Sequence, residues 1–135
     1  MAATETFDIR TTSRVETIDI TSLVRAAVRK SGVDSGLCCV FCPHTTAGLT
    51  VQENSDPQVK AALSAHVAQA VPHDATAITA ANNSDAHVKS SLLGAQLTLI
   101  VDAGKPVLGT WQAIYFCEFD GPRSRRLLIK TIKDA

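Results

Sequence analysis

The most unusual polar side chains of this sequence lie in one stretch, residues 44–60, which reads HTTAGLTVQENSDPQVK. Its alternation predicts a β-strand over residues 47–53, in which the odd-numbered side chains share one face. Glu53 then continues a row that is otherwise apolar. A carboxylate in such a row is costly unless it is paired, bound to a metal or facing a cavity. Glu53 is therefore a candidate functional residue.

A helix is predicted directly after this strand. Asp56 is in the N-cap position and Pro57 in the first turn, a combination typical of helix starts. Capping alone explains Asp56, and a role in a site is the alternative. Apolar residues keep helical spacing to residue 71, and His66 lies within that stripe, so we expect His66 to be a packed or hydrogen-bonded core histidine.

Three further histidines have side chains that could bind a metal ion or transfer a proton. His44 ends a predicted strand, His73 lies in a long loop predicted over residues 72–84, and His87 begins a helix. Loops of this length within a small domain are usually functional. The spacing of the three matches no short zinc signature, so hydrogen-bonded histidines without a metal are the alternative.

The helix predicted over residues 85–93 has one small, polar face. That face consists of His87, Ser90, Ser91 and Gly94. With Lys89 close by and free amides at the helix start, it could bind phosphate, sulfate or pyrophosphate. Close packing against a strand is the alternative, and Val88 and Leu92 would then form the opposite, apolar side. The basic turn that contains Arg123 could also hold phosphate, or simply be solvated.

The cysteines include the spacing Cys39-Val-Phe-Cys42, which is found in redox and zinc pairs. A buried strand predicted to end at Cys42 places these two side chains on opposite faces, so their sulfur atoms cannot readily meet. We interpret them, with Cys38 and Cys117, as small apolar residues in a reducing compartment.

The remaining pattern predicts an α+β fold in one domain, with a mixed β-sheet backed by helices. A helix is predicted with Thr21 or Ser22 as its N-cap and Gly32 at its end. The other predicted strands cover residues 6–11, 14–20, 36–42, 96–102, 107–110, 114–120 and 126–132, and the first two of them join through a short turn at residues 12–13.

Composition limits the possible partners. Thirteen basic and thirteen acidic residues cancel, so no net field attracts nucleic acid or an anionic membrane. The chain begins without a basic, apolar signal peptide and contains no run of eighteen apolar residues. We therefore expect a cytoplasmic protein with neither nucleic acid nor membrane as a partner.

Five separated motifs follow one another in the order HTTAGLT, QENSDP, DAHVKSSLLG, GTWQ and EFDGPRSRR. Together with His73-Asp74 they cover most of the chain, and the whole resembles the YjbQ-like family of small proteins. The resemblance implies a homotrimer with secondary thiamine-phosphate synthase activity, which joins hydroxymethylpyrimidine diphosphate to thiazole phosphate and releases pyrophosphate. A metal-dependent hydrolase, or a binding module for a metal or a phosphorylated metabolite without turnover, is the alternative.

The resemblance also implies site residues. It assigns a divalent cation, zinc or else magnesium with a diphosphate substrate, to His44, His73 and His87. The catalytic candidates are Glu53, Asp56 and Lys89. The candidates for binding a small phosphorylated substrate are Thr45, Asn54, Ser90, Ser91, Thr110, Trp111, Gln112 and Arg123.

Overall fold

Two antiparallel β-sheets and three helices make up the part of the chain that the computed structural model describes, residues 4–73 and 82–135. The elements in chain order are β1 (Thr4–Arg10), β2 (Glu16–Asp19), α1 (Thr21–Ser31), β3 (Gly36–Phe41), β4 (Ala47–Glu53), α2 (Pro57–Ala70), α3 (Ser84–Leu93), β5 (Gln96–Asp102), β6 (Lys105–Pro106), β7 (Gln112–Glu118) and β8 (Ser124–Lys133). Among these residues, no helix is long and apolar enough to cross a membrane. The predicted loop at residues 72–84 falls mostly outside the described residues.

The strands divide between a five-stranded sheet, ordered β1-β8-β3-β5-β6, and a three-stranded sheet, ordered β2-β7-β4. This confirms the predicted α+β class of a single domain with helices against the sheets. The two first strands separate at residues 11–15, because β1 pairs with β8 while β2 pairs with β7. Alternation along a strand reports its faces but not its partner, so the division into two sheets was not predicted.

The main core fills the space between the two sheets and α1. It contains Val24 and Val28 from α1, Leu49 and Phe116 from the small sheet, and Leu127 from the large sheet, none of them exposed. Burial of each such side chain contributes about 1.5–3 kcal/mol. The three-stranded sheet is therefore held in place from one side by the core, while its other side is free to receive α2 and α3.

Helix α1 follows the prediction closely. Its stripe of Val24, Ala27 and Val28 is buried, and Gly32 ends it in the left-handed conformation at φ 72°. Neither Thr21 nor Ser22 caps its start, however. Ile20 is the N-cap residue, and the Asp19 side chain accepts the hydrogen bond of the Thr21 amide at 2.9 Å.

Helix α2 begins as predicted, since the Asp56 carboxylate accepts a hydrogen bond from the Gln58 amide at 2.9 Å and Pro57 opens the helix. No residue of α2 is buried. His66 is exposed, so the prediction of a core histidine is wrong. Only a narrow edge of the helix, which includes Val67, packs on the sheet. It contacts a second, smaller cluster of buried residues that includes Tyr115 and Cys117 of β7. His66 lies outside that edge.

The strand predicted over residues 107–110 is not formed. Ala103 and Gly104 both have positive φ, 50° and 73°, and they reverse the chain directly after β5. The returning strand β6 therefore begins at Lys105 and contains only two residues. Because the turn is tight, the residues that pair with β5 are those directly after it, Lys105 and Pro106. Hydrophobic periodicity alone does not predict this register.

A fully buried carboxylate ends β7. Glu118 accepts hydrogen bonds from Arg125 Nε at 2.8 Å, from Arg125 Nη2, from Thr11 Oγ1 at 2.7 Å and from the Phe119 and Asp120 amides at 3.1 Å. Burial raises the pKa of Glu118, but the bonds from Arg125 and Thr11 outweigh this effect and lower it overall. Glu118 is therefore ionised and joins the ends of β1, β7 and β8.

We expect Glu118→Gln to lower the free energy of unfolding by about 3–5 kcal/mol, because it leaves the buried Arg125 guanidinium without a counter-charge. Urea unfolding at neutral pH measures this loss. Glu53→Gln is the matched control, since the Glu53 side chain is only partly buried. Equal and small losses for the two variants would contradict a structural role of the buried pair.

Candidate functional site

The first turn of α3 holds a second buried carboxylate, Asp85, which is 4% exposed. Three basic side chains surround it. His73 Nδ1 lies 2.9 Å from Oδ1, Lys89 Nζ lies 2.9 Å from Oδ2, and Arg14 Nη2 lies 3.1 Å from Oδ1. We name these four residues the Asp85 cluster.

Local sequence and distant contacts both build the Asp85 cluster. Asp85 and Lys89 are one helical turn apart on α3, where opposite charges attract, and an acidic residue near a helix start is favoured by the helix dipole. Arg14 comes from the segment before β2. Its carbonyl accepts a hydrogen bond from the Gly121 amide at 2.9 Å, which attaches that segment to the link between β7 and β8.

The cluster has a buried inner part and a partly exposed outer part. The side chains of Asp85 and Lys89 are each 3% exposed, whereas Arg14 is 33% and His73 is 44% exposed. Burial raises the pKa of Asp85, but hydrogen bonds from His73, Lys89 and Arg14 outweigh it and hold the pKa well below its usual range. Asp85 is therefore a carboxylate at neutral pH.

The contact between His73 and Asp85 defines what the imidazole can do. An ionised carboxylate only accepts hydrogen bonds, so His73 Nδ1 carries the hydrogen and donates it to Asp85. In neutral His73 the other ring nitrogen, Nε2, then keeps its lone pair. A carboxylate that orients an imidazole in this way is a common arrangement for a general base.

A smaller polar group lies beside the start of α3. Asp120 accepts hydrogen bonds from Asn83 Nδ2 at 2.8 Å and from Arg123 Nη2 at 2.7 Å. Arg123, a predicted substrate-binding residue, keeps a half-exposed side chain. The structure therefore places this guanidinium at the same end of the small sheet as Asp85.

The three histidines predicted to share a metal ion are engaged differently. His44 Nε2 accepts a hydrogen bond from the Arg126 amide at 2.9 Å, and His73 is bound to Asp85. His87 is partly exposed on α3. Within residues 4–73 and 82–135, no three His, Cys, Asp or Glu side chains are grouped so that they could hold a metal ion. The described residues of one chain therefore do not form the expected zinc site, and binding of a divalent cation stays a prediction.

The other predicted site residues fall into two groups at opposite ends of β4. Glu53 ends this seven-residue strand and pairs with Gln112 of β7. Ala47 begins it, and the Ala47 carbonyl accepts a hydrogen bond from the Ser90 hydroxyl at 2.7 Å. A strand of that length separates its ends by about 20 Å. The group at the Ala47 end contains His44, Thr45, Lys89, Ser90, Ser91 and Arg123, and the group at the Glu53 end contains Glu53, Asn54, Asp56, Thr110, Trp111 and Gln112.

The polar face of α3 packs closely on β4. Ser90 donates to the Ala47 carbonyl, and the Leu49 amide donates to the Gly94 carbonyl at 3.0 Å. A β-carbon on Gly48 would lie 3.0 Å from that same carbonyl oxygen, so only glycine fits there without displacement. Packing against a strand therefore explains Ser90 and Gly94, as in the alternative stated above.

The larger apolar residues of α3 lie on the side opposite the face that packs on β4. Val88 and Leu92 are 47% and 67% exposed, while Ala86 and Lys89 are buried. Small residues on the Ser90 side allow close approach to β4, and this turns the larger apolar side chains outward. The sequence pattern did not predict the role of Asp85, which appeared there only as the start of a helix. Its spacing of four residues from Lys89 was the available signal.

His44 predicts a pH dependence of stability. Burial and the nearby Arg125 lower the pKa of His44 from its ordinary value of 6.5, so the folded protein holds it neutral. A depressed histidine pKa gives stability that is complete above about pH 6.5 and is lost as the pH falls below it. The free energy of unfolding of the wild type should decrease between about pH 7.5 and pH 5.5, and His44→Gln should reduce that decrease.

Urea unfolding across this pH range measures the effect. The exposed His66 provides the control, because His66→Gln removes a histidine whose side chain is exposed from the same chain. A pH dependence that is the same in wild type and His44→Gln would contradict this assignment.

Comparison with known proteins identifies relatives along almost the whole chain. The sequence profile of the family described as UPF0047 protein YjbQ-like matches residues 5–134. UPF0047 protein YugU of Bacillus subtilis is 47% identical over 127 residues, which cover 93% of this chain and 96% of that protein. UPF0047 protein MJ1081 of Methanocaldococcus jannaschii is 44% identical over 128 residues, covering 95% and 93%.

Solved structures show the same fold. An uncharacterised conserved protein of the YjbQ/UPF0047 family from Clostridium acetobutylicum matches with a TM-score of 0.91 at 44% identity, covering 95% of this chain and 99% of that chain. A protein of unknown function from Sulfolobus solfataricus matches with a TM-score of 0.92 at 27% identity, covering 99% of each.

These comparisons correct the expected function. The relatives are described only as UPF0047 proteins or as proteins of unknown function, and none of those descriptions includes thiamine-phosphate synthesis. The described residues also contain no group of ligands for the metal on which the synthase and the hydrolase alternatives depended. The assignment as a thiamine-phosphate synthase is therefore wrong.

Proposed function

This chain belongs to the YjbQ-like UPF0047 family, and we propose that it is an acid–base enzyme in which His73 transfers a proton to and from a small anionic substrate. The hydrogen bond of 2.9 Å between His73 Nδ1 and the buried Asp85 carboxylate is the observation that supports this proposal. It orients the ring and leaves Nε2 as the basic atom.

Asp85 has two functions in this proposal. It holds the imidazole in one orientation, and its negative charge stabilises the imidazolium that forms when Nε2 accepts a proton. Lys89 and Arg14 keep Asp85 ionised, so the carboxylate remains an acceptor rather than taking the proton itself. Asp85 is thus a positioning residue, and His73 is the residue that meets the substrate.

The substrate class follows from the charges around the imidazole. Arg14 and Arg123 are both partly exposed near the start of α3, with 33% and 50% of their side chains accessible. A guanidinium can form two parallel hydrogen bonds to a phosphate or carboxylate group. We therefore propose a small phosphorylated molecule as the substrate. The four free cysteines are consistent with a reducing compartment, and we place the protein in the cytoplasm.

A divalent cation at His73 is a second candidate. Histidines that bind metal commonly donate their other N–H to a carboxylate, which is what His73 does toward Asp85. The described part of this chain lacks two further ligands near it. Such a cation would therefore need further ligands from outside the described part of this chain, and metal analysis of the purified protein tests for it.

The proton-transfer proposal can be tested without knowing the substrate. The probe is 5-nitrobenzisoxazole: a base removes the proton on its ring carbon, the N–O bond breaks, and a coloured cyanophenolate forms. The wild type should accelerate this reaction, and His73→Gln should lower the rate at least about tenfold, because a positioned general base contributes roughly 10² to 10⁴.

His66→Gln is the matched control, since His66 is also an accessible imidazole but has no carboxylate partner among the described residues. It should leave the rate unchanged. A wild-type rate equal to that of His73→Gln would overturn the proposal, and so would an equal loss in His66→Gln.

We also propose that the protein is a homotrimer that forms through the outer face of the five-stranded sheet. Leu37 of β3 is 50% exposed, and its neighbours across the strands, Ile100 of β5 and Ile132 of β8, are 62% and 52% exposed. An apolar row of this kind across three strands is typical of an interface. In the trimer, neighbouring copies of the chain would cover it.

Ile100→Glu should therefore reduce the mass in solution to that of one 14.3 kDa chain, because the interface would have to bury a charge. Light scattering after size-exclusion chromatography measures the mass. Leu92→Glu, an equally exposed position on α3, should leave it unchanged. A wild type that is monomeric at micromolar concentration would contradict the assembly.

A further inference from the structure

A charged cleft lies between the end of α1 and the turn that joins β5 to β6. Its volume is about 590 Å³. It is lined by three cationic side chains, one carboxylate and the backbone of two turns; the charged residues are Arg25, Arg29, Asp34 and Lys105. None of them belongs to the Asp85 cluster, so the cleft is separate from the site described above.

Backbone geometry shapes the two walls of this cleft. Gly32 ends α1 at φ 72°, and Ala103 and Gly104 reverse the chain at φ 50° and 73°. The Gly104 amide donates a hydrogen bond to the Asp34 carbonyl at 3.0 Å, which connects the two turns. The cleft is therefore a defined concave surface between two connected turns.

The three cations of the cleft form no ion pair in the described part of the chain. Arg25, Arg29 and Lys105 form no side-chain hydrogen bond or ion pair there. In the same residues, Arg14 pairs with Asp85 and Arg125 pairs with Glu118. Arg25 and Arg29 are also four residues apart on α1, a spacing at which like charges destabilise a helix.

We propose that this cleft binds a small polyanion through phosphate groups. The two guanidiniums would each bind phosphate oxygens with paired hydrogen bonds, and the Lys105 ammonium would add a point charge. The volume is in the range of small-molecule sites, about 300–1,000 Å³. A bound anion would also remove the repulsion between Arg25 and Arg29. Asp34, the only acidic side chain among the described residues of the lining, opposes the anion and sets a limit on its affinity.

Titration calorimetry with inorganic tripolyphosphate at low salt tests the site in the full chain. The double variant Arg25→Gln with Arg29→Gln should weaken binding at least about tenfold, because charge-assisted hydrogen bonds are lost. The control removes two other exposed cations, by Arg126→Gln with Lys130→Gln, and so changes the net charge equally. It should leave the affinity within about twofold.

Asp34→Asn gives a test in the opposite direction. Removal of this carboxylate should strengthen tripolyphosphate binding several-fold. Arg25→Gln with Arg29→Gln should weaken binding by at least as large a factor in Asp34→Asn as in the wild type. The proposal would be overturned by unchanged affinity in the double variant, by an equal loss in the control variant, or by tight binding of single-stranded RNA with none of free tripolyphosphate. None of these outcomes depends on the activity of His73.

Discussion

The buried ion pair between Glu118 and Arg125 is the contact on which the arrangement of this protein depends. It joins β7 to β8, binds the end of β1 through Thr11, and reaches the turn before β4 through the Thr46 hydroxyl at 2.8 Å. A buried charge without its partner is strongly destabilising. Segments that are distant in the sequence therefore have to meet at the Glu118 carboxylate before the fold is stable.

The candidate site depends on that same junction. The residues directly after Glu118 position the Asp85 cluster, because Asp120 binds the Asn83 side chain and the Gly121 amide binds the Arg14 carbonyl. The two buried carboxylates differ in their surroundings. Glu118 is enclosed on all sides and has a structural role, whereas Asp85 contacts the partly exposed His73, through which it can affect a ligand in solution. Both carboxylates are charged, so solvent access distinguishes them. The Glu118–Arg125 pair is buried from solvent and is structural, whereas the Asp85–His73 pair reaches solvent through His73 and is a candidate for catalysis.

Family membership and function stand on different observations in this protein. Identity above 40% along nearly the whole chain shows the family and the fold, but the relatives are described without an activity. A fold does not imply a reaction, so the function has to be argued from the site. The charged cleft beside α1 and the apolar outer face of the large sheet lie on other surfaces of the chain. They extend the possible contacts of the protein beyond the Asp85 cluster.

The sequence by itself determined the local features of this protein. Periodicity and turn residues predicted α1 with Gly32 at its end, the N-cap at Asp56, β4 with its alternating faces, and most other strands within a few residues. It also identified the family through its motifs. These features depend on neighbours along the chain, and local rules of dihedral angle and amphipathicity describe them well.

Only the tertiary structure decided which segments meet. The pattern could not show that β1 and β2 belong to different sheets, that His66 is exposed, or that Glu53 and Lys89 lie at opposite ends of β4. Nor could it pair His73 with Asp85 and Arg14, since no sequence spacing connects residues from a loop, a helix and a distant turn. Long-range pairing is set by the packing of whole faces and by the need to satisfy buried charges, and neither is encoded within a local window.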